Sequence, residues 1–248
     1  MLNLDLLDLR YRPFPIGSIR PAMSEDFYAE CLRAFPDSEL FEYVGDVGHK
    51  VSLSEKHAAK NYRHLVKRDP VWRTVHQWVK SRAFIESAFE ALSSRGVDLG
   101  YQTPSLNRRM QQRIRSMWRG RGRRADLYST RFEFSMLSAA GGSVLPHTDN
   151  PEKVITIVIS MVGDGEWPAE YGGGTDVLEP RDEKLTFNRL NNRRPDFSEF
   201  EILDTYPFQS NQAVVFTRTF NSWHCVRPMT GPDSNLWRRS LTINIEAH

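Results

Sequence analysis

The chain has 248 residues, of which 40% are hydrophobic and 26% charged, with a net charge of +2. These values suit a soluble globular protein with a substantial core and exclude a disordered polyelectrolyte or a general polyanion binder. Its only two cysteines, Cys31 and Cys225, stand far apart with no CxxC pair, which excludes a disulfide scaffold.

Asp5 and Asp8 break the apolar stretch that a signal peptide needs, and no run approaches the ~18 apolar residues of a membrane span. A cytoplasmic protein without membrane contact is the expectation. The first 126 residues read as a mainly helical region. Ser24 is placed to cap a helix with Glu25 and Asp26 in its first turn and Phe27, Cys31, Leu32 and Phe35 on one face, stopped by Pro36. Asp69-Pro70 reads as an N-cap followed by proline at the first helical position, with Val71, Val75, Trp78 and Val79 turned inward. Ser81 opens another helix with Phe84, Ile85, Phe89 and Leu92 inward, ending near Gly96. His49, His57, His64 and His76 have no metal-like spacing and read as surface or packing residues.

From residue 127 onward the period changes. Tyr128 to Leu137, Val154 to Val162, Val214 to Thr219 and Leu241 to Ile245 are rich in β-branched and aromatic residues, bounded by Gly, Pro, Asn and Asp. Short strands without long helical patterns between them predict an antiparallel sandwich or barrel. The polar stretch 181–200 reads as an insertion between strands.

Within GGSVLPHTDNPEKVITIVISM, residues 141–161, His147 and Asp149 are two apart. On a strand that spacing turns both side chains to one face, supplying two thirds of a 2-His-1-carboxylate facial triad. The third ligand should be a histidine on a later strand, and His224 is the remaining β-region histidine apart from the terminal His248. Downstream, WRRSLTINIEA begins with Arg238 and Arg239. An arginine on a buried strand needs an anionic partner, and its planar fork suits a carboxylate. Thr242, four residues after Arg238 on the same face, can add a hydroxyl.

HxD, a distal His and an Arg opening R-x-S-L-T together resemble the prolyl-4-hydroxylase-like branch of the 2-oxoglutarate/Fe(II) oxygenases. HTDN, and WPAEYGGGTDVLEP with its Gly-Gly strand, share in the resemblance, which spans about Tyr128 to Ile245. It implies an α+β fold: a double-stranded β-helix (a jelly-roll or cupin-like antiparallel barrel) over residues 127–248, supported by the N-terminal region. It implies that His147, Asp149 and His224 hold Fe(II), and that Arg238 rather than Arg239 pairs with the distal carboxylate of 2-oxoglutarate, with Thr242 assisting. Where relatives often carry a tyrosine near the cosubstrate, this chain has Ser160. O2 is the further cosubstrate implied, with ascorbate as a candidate reductant. The implied reaction hydroxylates a C–H bond while 2-oxoglutarate becomes succinate and CO2. Asp149, in place of Gly or Ala, leaves no coordination site for a halide and so points to hydroxylation rather than halogenation.

The substrate class stays open among small molecules, peptidyl residues, glycans and nucleic bases. NRRMQQRIRSMWRGRGRR, residues 107–124, has eight arginines and no acid. It reads foremost as a solvated basic loop or short helix, and alternatively as a rim for an anionic substrate, including nucleic acid, through Arg113, Arg115, Arg119 and Arg121. A nucleic-acid-directed oxygenase and a non-catalytic, metal-binding cupin-like protein are the two competing classes. Trp167 and Tyr171 read as either pocket-mouth or core residues.

Overall fold

The computed structural model describes residues 1–45, 50–97, 99, 127–185, 195–232 and 235–247. The basic residues 107–124 lie outside these, as do 186–194 of the stretch read as an insertion. The remainder of that stretch joins two strands of the smaller sheet, described below.

Four strands precede the predicted barrel: β1 (Asp8–Arg10), β2 (Ile16–Ile19), β3 (Glu42–Val44) and β4 (Lys50–Ser54). Eight follow: β5 (Tyr128–Ser138), β6 (Val144–His147), β7 (Lys153–Ser160), β8 (Thr175–Pro180), β9 (Phe200–Tyr206), β10 (Ala213–Thr217), β11 (His224–Val226) and β12 (Trp237–Ala247). They form an eight-stranded sheet, ordered β1-β2-β10-β7-β12-β5-β4-β3, and a four-stranded sheet, ordered β6-β11-β8-β9. Every pairing is antiparallel. From β5 to β12 the chain winds between the two sheets, with β5, β7, β10 and β12 in the large one and β6, β8, β9 and β11 in the small one. This winding is a double-stranded β-helix.

The large sheet is two-faced because its strands alternate. Phe132, Phe134, Ile155, Ile157, Ile159, Val215, Leu241, Ile243 and Ile245 point one way and form a core with the helices. Those helices are α1 (Glu25–Arg33), α2 (Ala59–Arg68), α3 (Pro70–Val79) and α4 (Arg82–Ser93). Asp69 caps α3 by accepting from the Trp72 amide at 3.0 Å, and Ser81 caps α4 by accepting from the Phe84 amide at 3.2 Å. Ser24 stands at the N-cap of α1 but makes no side-chain cap bond. Trp72, rather than Val71 or Trp78, is the buried anchor of α3, its ring edge-on to Phe134 at 4.6 Å.

The region before residue 126 differs from a mainly helical reading, because it also supplies four strands that extend both edges of the large sheet. Both cysteines are free and buried. Among the described residues, no helix is long and apolar enough to cross a membrane.

Candidate metal centre

The opposite face of the large sheet looks toward the small sheet, and the register fixes what it shows. Arg238, Ser240, Thr242 and Asn244 project from β12 into this interior. Their partners on β5 are Leu137, Ser135, Glu133 and Arg131, and on β7 Ser160, Val158 and Thr156 pair with Ser240, Thr242 and Asn244. An interior with so many polar groups is costly unless it serves a ligand or satisfies itself.

His147 ends β6 and His224 begins β11, and the two are direct partners across the small sheet, with ring centroids 4.3 Å apart. Asp149 lies just past the end of β6, so the geometry rests on a strand end and the turn that follows rather than on strand alternation alone. The ligand atoms of His147, Asp149 and His224 nevertheless all fall within 4.8 Å of one another. No other group of three or more His, Cys, Asp or Glu side chains able to hold a metal occurs among the described residues.

The imidazoles are oriented by the backbone. His147 Nδ1 lies 2.9 Å from Leu145 O and His224 Nδ1 lies 2.9 Å from Ser222 O. A carbonyl can only accept, so each Nδ1 carries the proton and each Nε2 keeps its lone pair free for a metal. Burial holds both imidazoles below their ordinary value, and for His147 the neighbouring His224 adds to this. Both are therefore neutral, as metal ligation requires. Burial alone would push the Asp149 carboxyl up, but the Lys153 ammonium beside it outweighs this and holds the group ionised. Lys153 Nζ donates to Asp149 Oδ1 at 2.5 Å and Thr156 Oγ1 donates to Oδ2 at 2.6 Å. Phe216 packs its ring 4.5 Å from that of His224 and closes the floor. Two neutral imidazoles and one fixed carboxylate fit a divalent transition metal on one face.

At the other end of β12's interior face, Arg238 is 5% exposed. Its Nε donates to Gly173 O at 2.5 Å and its guanidinium carbon lies 4.6 Å from the Phe208 ring centroid. No acidic side chain of the described residues forms an ion pair with it, and burial pulls its pKa down to about 10. Gly173 has φ +86°, and a Cβ there would meet Met229 Sδ at 3.0 Å and Arg238 Cδ at 3.1 Å. The glycine run thus supplies both a backbone bend and the room the arginine occupies. Arg239 faces the opposite side, 3.7 Å from Glu166 and over Phe35, so the two neighbouring arginines have separate surroundings.

Thr242 is half-buried on the same face as Arg238, about 13 Å along the strand at the usual rise per residue. Ser160 is buried, in register with Ser240, whose hydroxyl is 3.0 Å from that of Ser135. Trp167 packs with Phe208 near the arginine, its Nε1 donating to Gly172 O at 2.9 Å, and Tyr171 lies at the margin of this cluster. Several interior groups escape sequence reasoning. Glu133 is buried with Lys50 Nζ at 2.5 Å, and Thr156 and Asn244 lie beside the triad. Strand periodicity marks them as facing one side, but only the register shows what they meet.

No protein-family model matches the chain, and a search of curated proteins returns no match. Among solved structures, the chain is similar to a prolyl 4-hydroxylase from Phytophthora capsici at 15% identity and a TM-score of 0.50, over 94% of this chain and 58% of that one. It is also similar to a Pseudomonas putida prolyl-4-hydroxylase, at 14% identity and TM-score 0.49 over 94% and 92% of the two chains. A Burkholderia pseudomallei oxidoreductase of the 2OG-Fe(II) oxygenase family aligns at 13% identity and TM-score 0.46 over 94% and 85%. At these identities the likeness is one of fold, and the Phytophthora structure agrees with the strand winding described above.

Proposed function

We propose that this chain is an Fe(II)- and 2-oxoglutarate-dependent oxygenase that hydroxylates a C–H bond. The observation that carries the reading is a pair: a 2-His-1-carboxylate cluster, and a buried arginine on the same interior face that has no ion pair among the described residues. A cupin-like metal protein needs only the first. The second calls for an anionic ligand, since a buried charge without a counter-charge is strongly unfavourable.

His147, Asp149 and His224 would hold the metal through two Nε2 atoms and one carboxylate oxygen. Iron(II) with bound 2-oxoglutarate supplies oxygen activation, with release of succinate and CO2. Everything else falls to the chain's own residues. Leu145 O and Ser222 O keep the imidazole lone pairs aimed inward, while Lys153 and Thr156 fix the carboxylate. Arg238 would pair with the distal carboxylate of the cosubstrate, and Thr242 and Ser160 would offer hydroxyls from the same face. Phe216, Val214 and Val158 form an apolar wall on the interior face, with Phe216 packed against His224. With a metal bound, Asp149 would take the coordination place a halide would need, which favours hydroxylation. A small-molecule or peptidyl substrate fits this chemistry, and the name of the Phytophthora neighbour supports a hydroxylase.

The test is succinate formation from 2-oxoglutarate in air, with Fe(II), across peptide, amino-acid, carbohydrate and nucleotide pools. One pool should raise succinate above the uncoupled background, and Asp149→Ala should remove both. Tight metal binding with no succinate in any condition would favour the non-catalytic cupin-like reading instead.

A further inference from the structure

Across the site-facing surface of the large sheet, Arg131, Asn244, Thr156 and Phe216 stand side by side. Arg131 and Asn244 are direct partners between β5 and β12, Asn244 and Thr156 between β12 and β7, and Thr156 and Phe216 between β7 and β10. The row reaches the triad through Thr156, whose Oγ1 lies 2.6 Å from Asp149 Oδ2 and 3.1 Å from Asn244 Oδ1.

A hydroxyl has one proton to give. The ionised Asp149, at the shorter distance, takes it, because a charge-assisted bond outcompetes one to a neutral amide. With the amide oxygen turned toward Thr156, two oxygens then face each other without a proton between them. Among the described residues, two buried donors in the same row meanwhile make no hydrogen bond. Asn244 Nδ2 and Arg131 Nε are both buried and make no hydrogen bond, the latter lying 3.3 Å from Glu246 Oε1 without bonding geometry. A buried amide donor that makes no hydrogen bond, as Asn244 Nδ2, is unfavourable. The two ends of an amide exchange by a half-turn that changes no shape. That half-turn resolves the conflict: Nδ2 donates to Thr156, and Oδ1 is presented to Arg131, its partner in the ladder.

We infer that Asn244 is a positioning residue for the metal-binding carboxylate, acting through Thr156 in a one-way hydrogen-bond chain. Arg131 Nε donates to Asn244 Oδ1, Asn244 Nδ2 donates to Thr156 Oγ1, and Thr156 Oγ1 donates to Asp149 Oδ2. The chain ties down Oδ2, while Oδ1, which accepts from Lys153 Nζ and lies 3.8 Å from His147 Nε2, has its second lone pair for a metal. The inference rests on His147, Asp149 and His224 binding a divalent metal.

Co(II) titration followed by visible absorption tests it, with melting temperatures checking that each variant is folded. Thr156→Ser keeps the hydroxyl and should bind within about threefold of the unsubstituted protein. Thr156→Val should bind more weakly by about 10- to 100-fold and Asn244→Leu by about tenfold, the scale of losses at residues supporting metal ligands. Because Asn244 acts through Thr156, the double variant Thr156→Val/Asn244→Leu should bind no more weakly than Thr156→Val alone, whereas independent structural effects would add. Unchanged affinity in folded Asn244→Leu, or additive losses in the double variant, would overturn the chain while leaving the metal site intact. No Co(II) binding by the unsubstituted protein would overturn the metal site and the chain together.

Discussion

Replacing Arg238 by methionine separates a ligand-binding arginine from a structural one. Methionine keeps much of the volume and removes the charge. Burial pulls the guanidinium from an ordinary value of 12.5 to about 10, a bias of about 3 kcal/mol against its charged form. The substitution relieves that cost. Against it, the bond from Nε to Gly173 O is lost, ~1.5–3 kcal/mol for a charged donor, together with the Phe208 contact, ~0.5–2 kcal/mol. The terms nearly cancel, so urea unfolding without ligand at pH 7 should show a change within about 1–2 kcal/mol either way. Binding of 2-oxoglutarate to the Mn(II)-loaded protein should behave very differently. Losing a charge-assisted bidentate pair in a dry site costs about 2–4 kcal/mol, or roughly 30- to 1,000-fold in affinity by calorimetry. Arg239→Ala, which alters a half-exposed side chain on the opposite face, should leave that affinity within about threefold. Marked destabilisation of Arg238→Met with 2-oxoglutarate binding unchanged would refute the reasoning and make the arginine a structural residue.

Burial pushes the Glu133 carboxyl up, but Lys50 at 2.5 Å outweighs it and brings the group down to about 2. A depressed carboxyl contributes stability above its ordinary range and loses it as pH falls from about 4.5 through about 2. Glu133→Gln should therefore be less stable by about 3 kcal/mol at pH 7, with the gap closing as pH drops toward 2 in urea midpoints. A gap independent of pH would show that the ion pair is not its source. Asp69→Ala removes the acceptor of the Trp72 amide and should cost about 1 kcal/mol, seen as a lower melting temperature; an unchanged melting point would mean that Pro70 alone sets the start of α3.

The parts of the fold legible from sequence are those with one apolar face. Ile155, Ile157 and Ile159 on β7, and Leu241, Ile243 and Ile245 on β12, alternate cleanly because helices cover one side and a polar interior the other. The strands β1 to β4 are three to five residues long and carry no such run, so periodicity does not find them. The start of α2 is hidden as well, since Ala58 enters it at φ 50° without a capping side chain. The HxD motif and the distal histidine are visible because their residue types are rare in combination. Glu133, Thr156 and Asn244 are not, because their roles depend on which strands lie beside β12, and spacing within one strand carries no information about its neighbours.

The most direct test of the whole site is an anaerobic titration of 2-oxoglutarate into the Fe(II)-loaded protein, read by visible absorption. A keto acid chelating Fe(II) through its keto oxygen and adjacent carboxylate produces a charge-transfer band that neither component has alone. The band should appear and saturate in the unsubstituted protein, require far more 2-oxoglutarate in Arg238→Met, and be absent in His224→Ala. Stoichiometric Fe(II) binding with no such band at any 2-oxoglutarate concentration would contradict the account.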